Sequence, residues 1–132
     1  STIAAKVIAT SLRDGWNDAY LLSRDKNTTT DFLIAAQDYH AVSAGCKAWM
    51  GWQAMDDLET IRRAMGGHAY SKYSGLPTLT NDFAVITTGG GDNIVLAQQC
   101  ARYLIQVYEG KAIAVQGFAS YLADTQEILS MP

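Results

Sequence analysis

Apolar residues recur at every third or fourth position over most of this chain, which is the spacing of one face of an α-helix. On the predicted first helix this face consists of Ala5, Ile8, Leu12, Trp16 and Ala19. On the second it consists of Ala41, Ala44, Ala48, Trp52, Met55, Leu58, Ile61 and Met65. The sequence therefore predicts an all-α protein.

Glycines and polar residues interrupt this pattern and set the expected ends of the helices. The predicted helices cover about residues 2–24, about residues 31–65, the stretch from Gly91 or Asp92 to Gly110, and about residues 111–127. Gly45 and Gly51 lie inside the second helix, so we expect close packing of another helix there. The whole chain, residues 1–132, is expected to be a single domain, a four-helix bundle with one long irregular connection over about residues 66–91.

Composition and charge limit the classes of function. The 132 residues carry a formal net charge of -3, which gives no basic field for nucleic acid. No apolar run approaches the ~20 residues of a membrane span, and no signal-peptide pattern is visible. Cys46 and Cys100 are predicted to be buried thiols rather than disulfide partners, which favours a reducing, intracellular compartment.

Two glycine clusters flank the least periodic stretch of the chain. The first is Gly66-Gly67 and the second is Gly89-Gly90-Gly91, followed by Asp92 and Asn93. Glycine lets backbone N–H groups approach a phosphate, and a helix N-terminus attracts anions. The second cluster lacks the Gly-Lys-Ser/Thr ending of nucleotide-hydrolysing loops, so we reject that class. A plain flexible turn before a helix is the alternative on composition alone.

The sequence around both clusters resembles that of acyl-CoA oxidases. Met-Gly-Gly-His-Ala-Tyr-Ser at residues 65–71 and Ser-Gly-Leu-Pro at residues 74–77 are similar to Cys-Gly-Gly-His-Gly-Tyr-Ser and Ser-Gly-Leu-Pro in that family. Thr-Gly-Gly-Gly-Asp-Asn-Ile-Val-Leu at residues 88–96 is similar to Thr-Tyr-Glu-Gly-Asp-Asn-Thr-Val-Leu. Looser similarities lie at residues 40–48, 101–104 and 120–122, so the resemblance covers roughly residues 38–124.

The resemblance implies the C-terminal helical domain of a flavoenzyme of fatty-acid β-oxidation. It implies FAD as the cofactor of the whole protein, acyl-CoA as a possible ligand, and a homo-oligomer or other domains of the same protein as partners. The family's N-terminal helical domain and middle β domain are not in this sequence, so we expect no cofactor for this chain alone. Gly66, Gly67, Gly91, Asp92 and Asn93 match positions that border the cofactor. The family's compartment is the peroxisome, although this sequence does not end in Ser-Lys-Leu; otherwise we expect the cytoplasm.

The departure from the family pattern is as informative as the match. In the family, the glutamate before the glycine removes the α-proton of the acyl thioester, and Gly90 stands at that position here. The neighbouring aromatic residue is replaced by Gly89, and Ala69 replaces a glycine of the first cluster. Asp92 matches a position that is already acidic in the family, so we do not assign it the role of catalytic base. We therefore expect no catalytic residue in this chain.

Several other residues have structural interpretations. His40 and His68 lack partners at metal-ligand spacing, so no metal site is predicted. Trp49 and Trp52 are expected to be core or interface anchors, and the acids before Arg62 and Arg63 a self-paired helix surface.

Three hypotheses of function follow. The favoured one is a non-catalytic helical module that acts through self-association or partner binding. The second is part of a working FAD-dependent acyl-CoA oxidase whose other domains lie outside this chain. The third is a small protein that binds a nucleotide or a CoA phosphate at the glycine clusters.

Overall fold

A computed structural model describes residues 2–24, 29–111 and 117–122 of the chain. Over these residues it contains four α-helices and no β-strand, which confirms the all-α class. The helices are α1 (Thr2–Leu22), α2 (Thr29–Ala64), α3 (Leu76–Ala84) and α4 (Asn93–Tyr108). The ends of α1 and α2 lie within two residues of the predicted ends. No described helix is long and apolar enough to cross a membrane.

The connection between α2 and α4 is more regular than the sequence indicated, so the prediction of one long irregular segment over residues 66–91 is wrong in its middle. Leu76–Ala84 forms α3, and short 3₁₀ turns flank it at Gly66–Tyr70, Lys72–Ser74 and Val85–Thr87. Gly75 caps α3 with a φ of 70°, and Pro77 lies in the first turn, where its missing N–H costs nothing. A helix of 9 residues is too short for a clear period.

The predicted fourth helix, over about residues 111–127, is only partly covered by the described residues. Residues 112–116 and 123–127 lie outside them. Gly117–Leu122 forms a 3₁₀ segment instead of an α-helix, so the prediction is wrong there. The end of the preceding helix is as expected, because Gly110 follows α4 with a φ of 68°, a conformation that glycine adopts at little cost.

Backbone contacts group the chain into two compact units. The first unit combines Ser1–Ala44 with Gln99–Pro132, and the second unit is Gly45–Gln98. In the first unit α1 and α2 approach closely at Gly15, where a Cβ atom would overlap the phenol ring of Tyr39. The core of the second unit is Leu58, Ala69 and Leu76, with Met55 and Phe83 packed against them.

A buried carboxylate organises the first unit. Asp38 on α2 is only 2% exposed. It accepts hydrogen bonds from the backbone N–H groups of Phe118 at 2.7 Å and Ala119 at 3.3 Å, and from the Tyr103 hydroxyl at 3.1 Å. The ring of Phe118 also packs edge-on against Tyr39, with 5.4 Å between ring centroids. Asp38 thus holds the 3₁₀ segment and α4 to α2 within this unit.

We expect the Tyr103 hydroxyl to make the free energy of unfolding depend on pH in alkaline solution. Partial burial, followed by the nearby Asp38 carboxylate, raises the pKa of Tyr103 from 10.0 to about 12. A raised pKa in the folded state adds stability that is complete below the unfolded pKa of 10.0 and disappears as the pH rises through about 12. Urea unfolding at a series of alkaline pH values should therefore show a shallower loss of stability for Tyr103→Phe than for the unchanged protein. Parallel curves for the two proteins would contradict this assignment.

The three tryptophans lie at the surface of the chain rather than in its core. Trp16 is 45% exposed, Trp49 is 55% exposed and Trp52 is 43% exposed. Most of the buried apolar residues of α1 and α2 are alanines, namely Ala19, Ala41, Ala44 and Ala48, and the others are Ile34 and Leu58. This exposure excludes a core role for Trp49 and Trp52.

Candidate functional site

The second glycine cluster forms a tight loop immediately before α4. Gly90 has a φ of 68° and Gly91 a φ of 102°, values that side chains other than hydrogen disfavour. The loop ends at Asp92, whose carboxylate accepts hydrogen bonds from the backbone N–H groups of Ile94 at 2.8 Å and Val95 at 3.4 Å. Asp92 therefore caps α4 with its side chain, as expected for a helix N-cap.

Hydrogen bonds from α2 fix the position of this loop. The Lys47 ammonium donates hydrogen bonds to the Ile86 carbonyl oxygen at 2.7 Å, to the Gly91 carbonyl oxygen, and to Oδ1 of Asn93 at 2.7 Å. The Asn93 side chain also donates from Nδ2 to the Ala48 carbonyl oxygen at 3.3 Å, and the residue is only 1% exposed. Both polar atoms of the Asn93 amide are thus occupied within the protein.

The space beside Gly90, which the resemblance aligns with a glutamate, is open among the described residues. A Cβ atom added at Gly90 would have no heavy atom within 4 Å. A Cβ atom at Gly89, where the family has an aromatic residue, would lie 2.8 Å from the backbone oxygen of Val85. Space for an acid is therefore present, whereas an aromatic side chain at Gly89 would require the backbone to move.

The first glycine cluster follows α2 directly. Gly66 has a φ of 57°, and a Cβ atom at either Gly66 or Gly67 would have no heavy atom within 4 Å. Both glycines are exposed, so their backbone can be approached from outside. Of the five residues predicted to border a cofactor, Gly91, Asp92 and Asn93 adjoin one another in the second loop, and Asn93 is buried.

A charged cluster lies on the last turns of α2, just before the first glycine cluster. Glu59 pairs with Arg62 at 2.6 Å and with Arg63 at 2.9 Å, which confirms the predicted self-paired surface. The hydrogen bond from Arg62, and then that from Arg63, lower the pKa of Glu59 to about 2. Arg62 also donates to the Tyr70 hydroxyl at 2.8 Å, with its guanidinium carbon 5.4 Å from the centre of that ring. Arg62 thus fixes the orientation of the exposed Tyr70 ring, close in sequence to Gly66 and Gly67.

The histidines and cysteines belong to no group of metal ligands in the described part of the chain. His40 lines a mainly apolar groove of about 570 Å³ in the first unit, together with Trp16 and Tyr39. Among the residues that the structure describes, no three His, Cys, Asp or Glu side chains are grouped as metal ligands. Cys46 and Cys100 are half-buried thiols rather than disulfide partners.

The close packing predicted at Gly51 occurs against Asn93. A Cβ atom at Gly51 would lie 2.7 Å from Nδ2 of Asn93, which is fixed by its own hydrogen bonds. Gly51→Ala should therefore lower the free energy of unfolding by about 1–2 kcal/mol, despite the better helix propensity of alanine.

Gly67→Ala is the matched control for this packing prediction. Gly67 has free space at the Cβ position and no positive φ, so its substitution should change stability by less than about 0.5 kcal/mol. Urea unfolding of both variants gives the comparison. Equal effects of the two substitutions would contradict the close contact at Gly51.

Comparison with known proteins gives the class of this all-α chain. The sequence profile described as "Acyl-CoA oxidase, C-alpha1 domain" matches residues 1–105. The chain is 42% identical over 96 residues to peroxisomal acyl-coenzyme A oxidase 1 of Homo sapiens, a match that covers 70% of this chain and 14% of that protein. It is 38% identical over 111 residues to peroxisomal acyl-coenzyme A oxidase 2 of Oryctolagus cuniculus, covering 84% of this chain and 15% of that protein.

The chain belongs to the acyl-CoA oxidase family, and it corresponds to the C-alpha1 domain of that family. The matches span only 14% to 15% of the length of these curated relatives. No solved structure matches the chain significantly.

Proposed function

We propose that this chain is a non-catalytic C-alpha1 domain of the acyl-CoA oxidase family, which acts through association with a second copy or with other domains. The single observation that carries the proposal is Gly90, which stands where the family has its catalytic glutamate. A hydrogen atom cannot replace a positioned carboxylate as a general base. The open space beside Gly90 supports the proposal, because no heavy atom of the described residues would lie within 4 Å of a Cβ atom there.

The other acid of the loop is a poor substitute for the missing base. The Asp92 carboxylate is engaged by two backbone N–H groups at the start of α4. Using it as a base would leave those donors without their cap, which typically costs about 1 kcal/mol of helix stability. Asp92 is therefore better explained as a structural residue.

The exposed tryptophans support action through association. Trp49 and Trp52 lie on α2 and expose large aromatic surfaces that water solvates poorly. Tryptophan is enriched among the residues that contribute most to protein interfaces. These residues therefore fit an interface with a second copy or with another domain of the same protein.

FAD remains part of the proposal for a larger assembly. A Cβ atom at Gly66, Gly67 or Gly90 would meet no heavy atom of the described residues within 4 Å, which leaves space for a bound group at each backbone position. Gly91 and Asp92 adjoin Gly90 in the loop before α4. When bound, FAD would accept the hydride of an acyl thioester, whereas this chain would contribute backbone and shape without a base. Asn93 would act indirectly, because its side chain is buried and bonded within the protein.

The alternative function is that of one domain in a working FAD-dependent acyl-CoA oxidase. The family match favours it, and the peroxisomal relatives make the peroxisome its expected compartment. A protein that binds only a nucleotide or a CoA phosphate at the glycines is a weaker hypothesis, and calorimetric titration with FAD and with CoA would test it.

The decisive experiment uses the purified full-length protein. Peroxide formation from acyl-CoA is measured after incubation with FAD, and size-exclusion chromatography with light scattering gives the mass in solution. We expect no acyl-CoA-dependent peroxide and a mass above that of one chain. Steady turnover would overturn the non-catalytic function, and a strict monomer at high concentration would contradict self-association.

A further inference from the structure

We propose that Lys47 is the positioning residue of the glycine loop and fixes it through all three N–H groups of its ammonium. The three acceptors of these hydrogen bonds lie 39 to 46 positions further along the chain than Lys47. This inference goes beyond the proposed function, since it concerns the position of the loop whether or not a flavin lies beside it.

The hydrogen-bonding capacity of the ammonium is fully used. A lysine ammonium has three donors and no acceptor. Here the donors meet one carbonyl oxygen before the loop, at Ile86, one at its end, at Gly91, and the side-chain oxygen of Asn93. A single charged group therefore joins both ends of the loop to α2.

The electrostatic setting argues against a merely adventitious contact. The positive end of the α4 dipole lies at Asn93, and a cation at a helix N-terminus is normally unfavourable. Lys47 nevertheless bonds to Asn93 itself, and the negatively charged Asp92 carboxylate lies on the same turn. The contact is thus explained by the directed N–H donors of lysine rather than by its charge.

Asn93 extends the same arrangement into the interior. Its amide nitrogen is bonded to the Ala48 carbonyl oxygen, one residue beyond Lys47 on α2. Because Asn93 is only 1% exposed, its side chain is shielded from water while Lys47 is in place. Removal of the ammonium would leave Oδ1 of Asn93 without its donor and would release the Gly91 end of the loop.

The test is hydrogen exchange of the full-length protein, followed by mass spectrometry of peptides that cover residues 86–93. In Lys47→Ala these amides should exchange at least about tenfold faster than in the unchanged protein, while those of α1 keep their rates. Added ethylammonium, which supplies N–H donors to the vacated space, should restore slow exchange. Tetramethylammonium, which has the same charge and no donor, should not.

Lys72→Ala is the matched control, because Lys72 is exposed and lies outside the loop. Unchanged exchange in Lys47→Ala, or equal rescue by both ammonium ions, would overturn the proposal. If Lys47→Ala does not fold, the unchanged protein provides the second measurement. Its Lys47 ammonium should give a proton-nitrogen NMR signal protected from solvent exchange, with scalar coupling to the Ile86 and Gly91 carbonyl carbons, and a freely exchanging ammonium would refute the assignment.

Discussion

Gly90→Glu should give the full-length, FAD-loaded protein an acyl-CoA oxidase activity about 10²- to 10⁴-fold above that of the unchanged chain, the usual contribution of a general base. The substitution returns a carboxylate to the position of the family's glutamate. No heavy atom within 4 Å of the Cβ position opposes it. Peroxide release from acyl-CoA is the measurement.

Gly90→Gln is the control for this gain of activity. Glutamine has nearly the same size as glutamate and must adopt the same φ of 68°, which costs roughly 1–2 kcal/mol for a residue with a side chain. It cannot accept the α-proton, so it should lower stability equally and give no activity. Activity in both variants, or in neither when FAD is bound, would contradict the role assigned to a carboxylate at position 90.

Asp38→Ala should lower the free energy of unfolding by about 3 kcal/mol, because it removes an acceptor of charge-assisted hydrogen bonds from a buried site. The N–H groups of Phe118 and Ala119 would lose their acceptor, and the Tyr103 hydroxyl would lose its partner. Alanine is also too small to fill the space of the carboxylate. Urea unfolding of both proteins, fitted with one shared dependence of the free energy of unfolding on urea concentration, gives the difference in stability.

Asp18→Ala serves as the control for charge removal alone. Asp18 is exposed on α1, so its substitution should change stability by no more than about 0.5 kcal/mol. Asp38→Asn is a second, milder variant, because it keeps the volume but presents an amide that cannot accept at both oxygen positions. A loss in Asp38→Ala as small as that in Asp18→Ala would show that the three hydrogen bonds add little to stability.

The sequence predicted the features that depend on neighbouring residues. These are the all-α class, the ends of α1 and α2, and the glycines on either side of α4. The third α-helix could not be predicted from its period, since Leu76–Ala84 has only 9 residues and follows two 3₁₀ turns. The 3₁₀ form of Gly117–Leu122 was missed for another reason. Its first N–H groups bond to Asp38, a partner 80 positions away that local propensity does not reveal.

The glycine loop of the candidate site could be predicted from the sequence, but the side chain that holds the loop in place could not. Glycine spacing and the family resemblance indicated Gly89, Gly90 and Gly91, and the structure places them in one loop. Lys47 belongs to a stretch that resembles the family, but nothing local distinguishes it from a surface lysine. Its role depends on contacts 39 or more residues away, which only the tertiary structure brings together.

The two missing side chains of the loop differ in how easily evolution could regain them. A single substitution can return an acid at Gly90, because the space beside it is open. Regaining the aromatic residue at Gly89 would first require the Val85 carbonyl to move, since the new Cβ atom would lie 2.8 Å from its oxygen. Regaining the acid therefore meets only the strain of a side chain at a φ of 68°, whereas regaining the aromatic neighbour also requires the backbone to move.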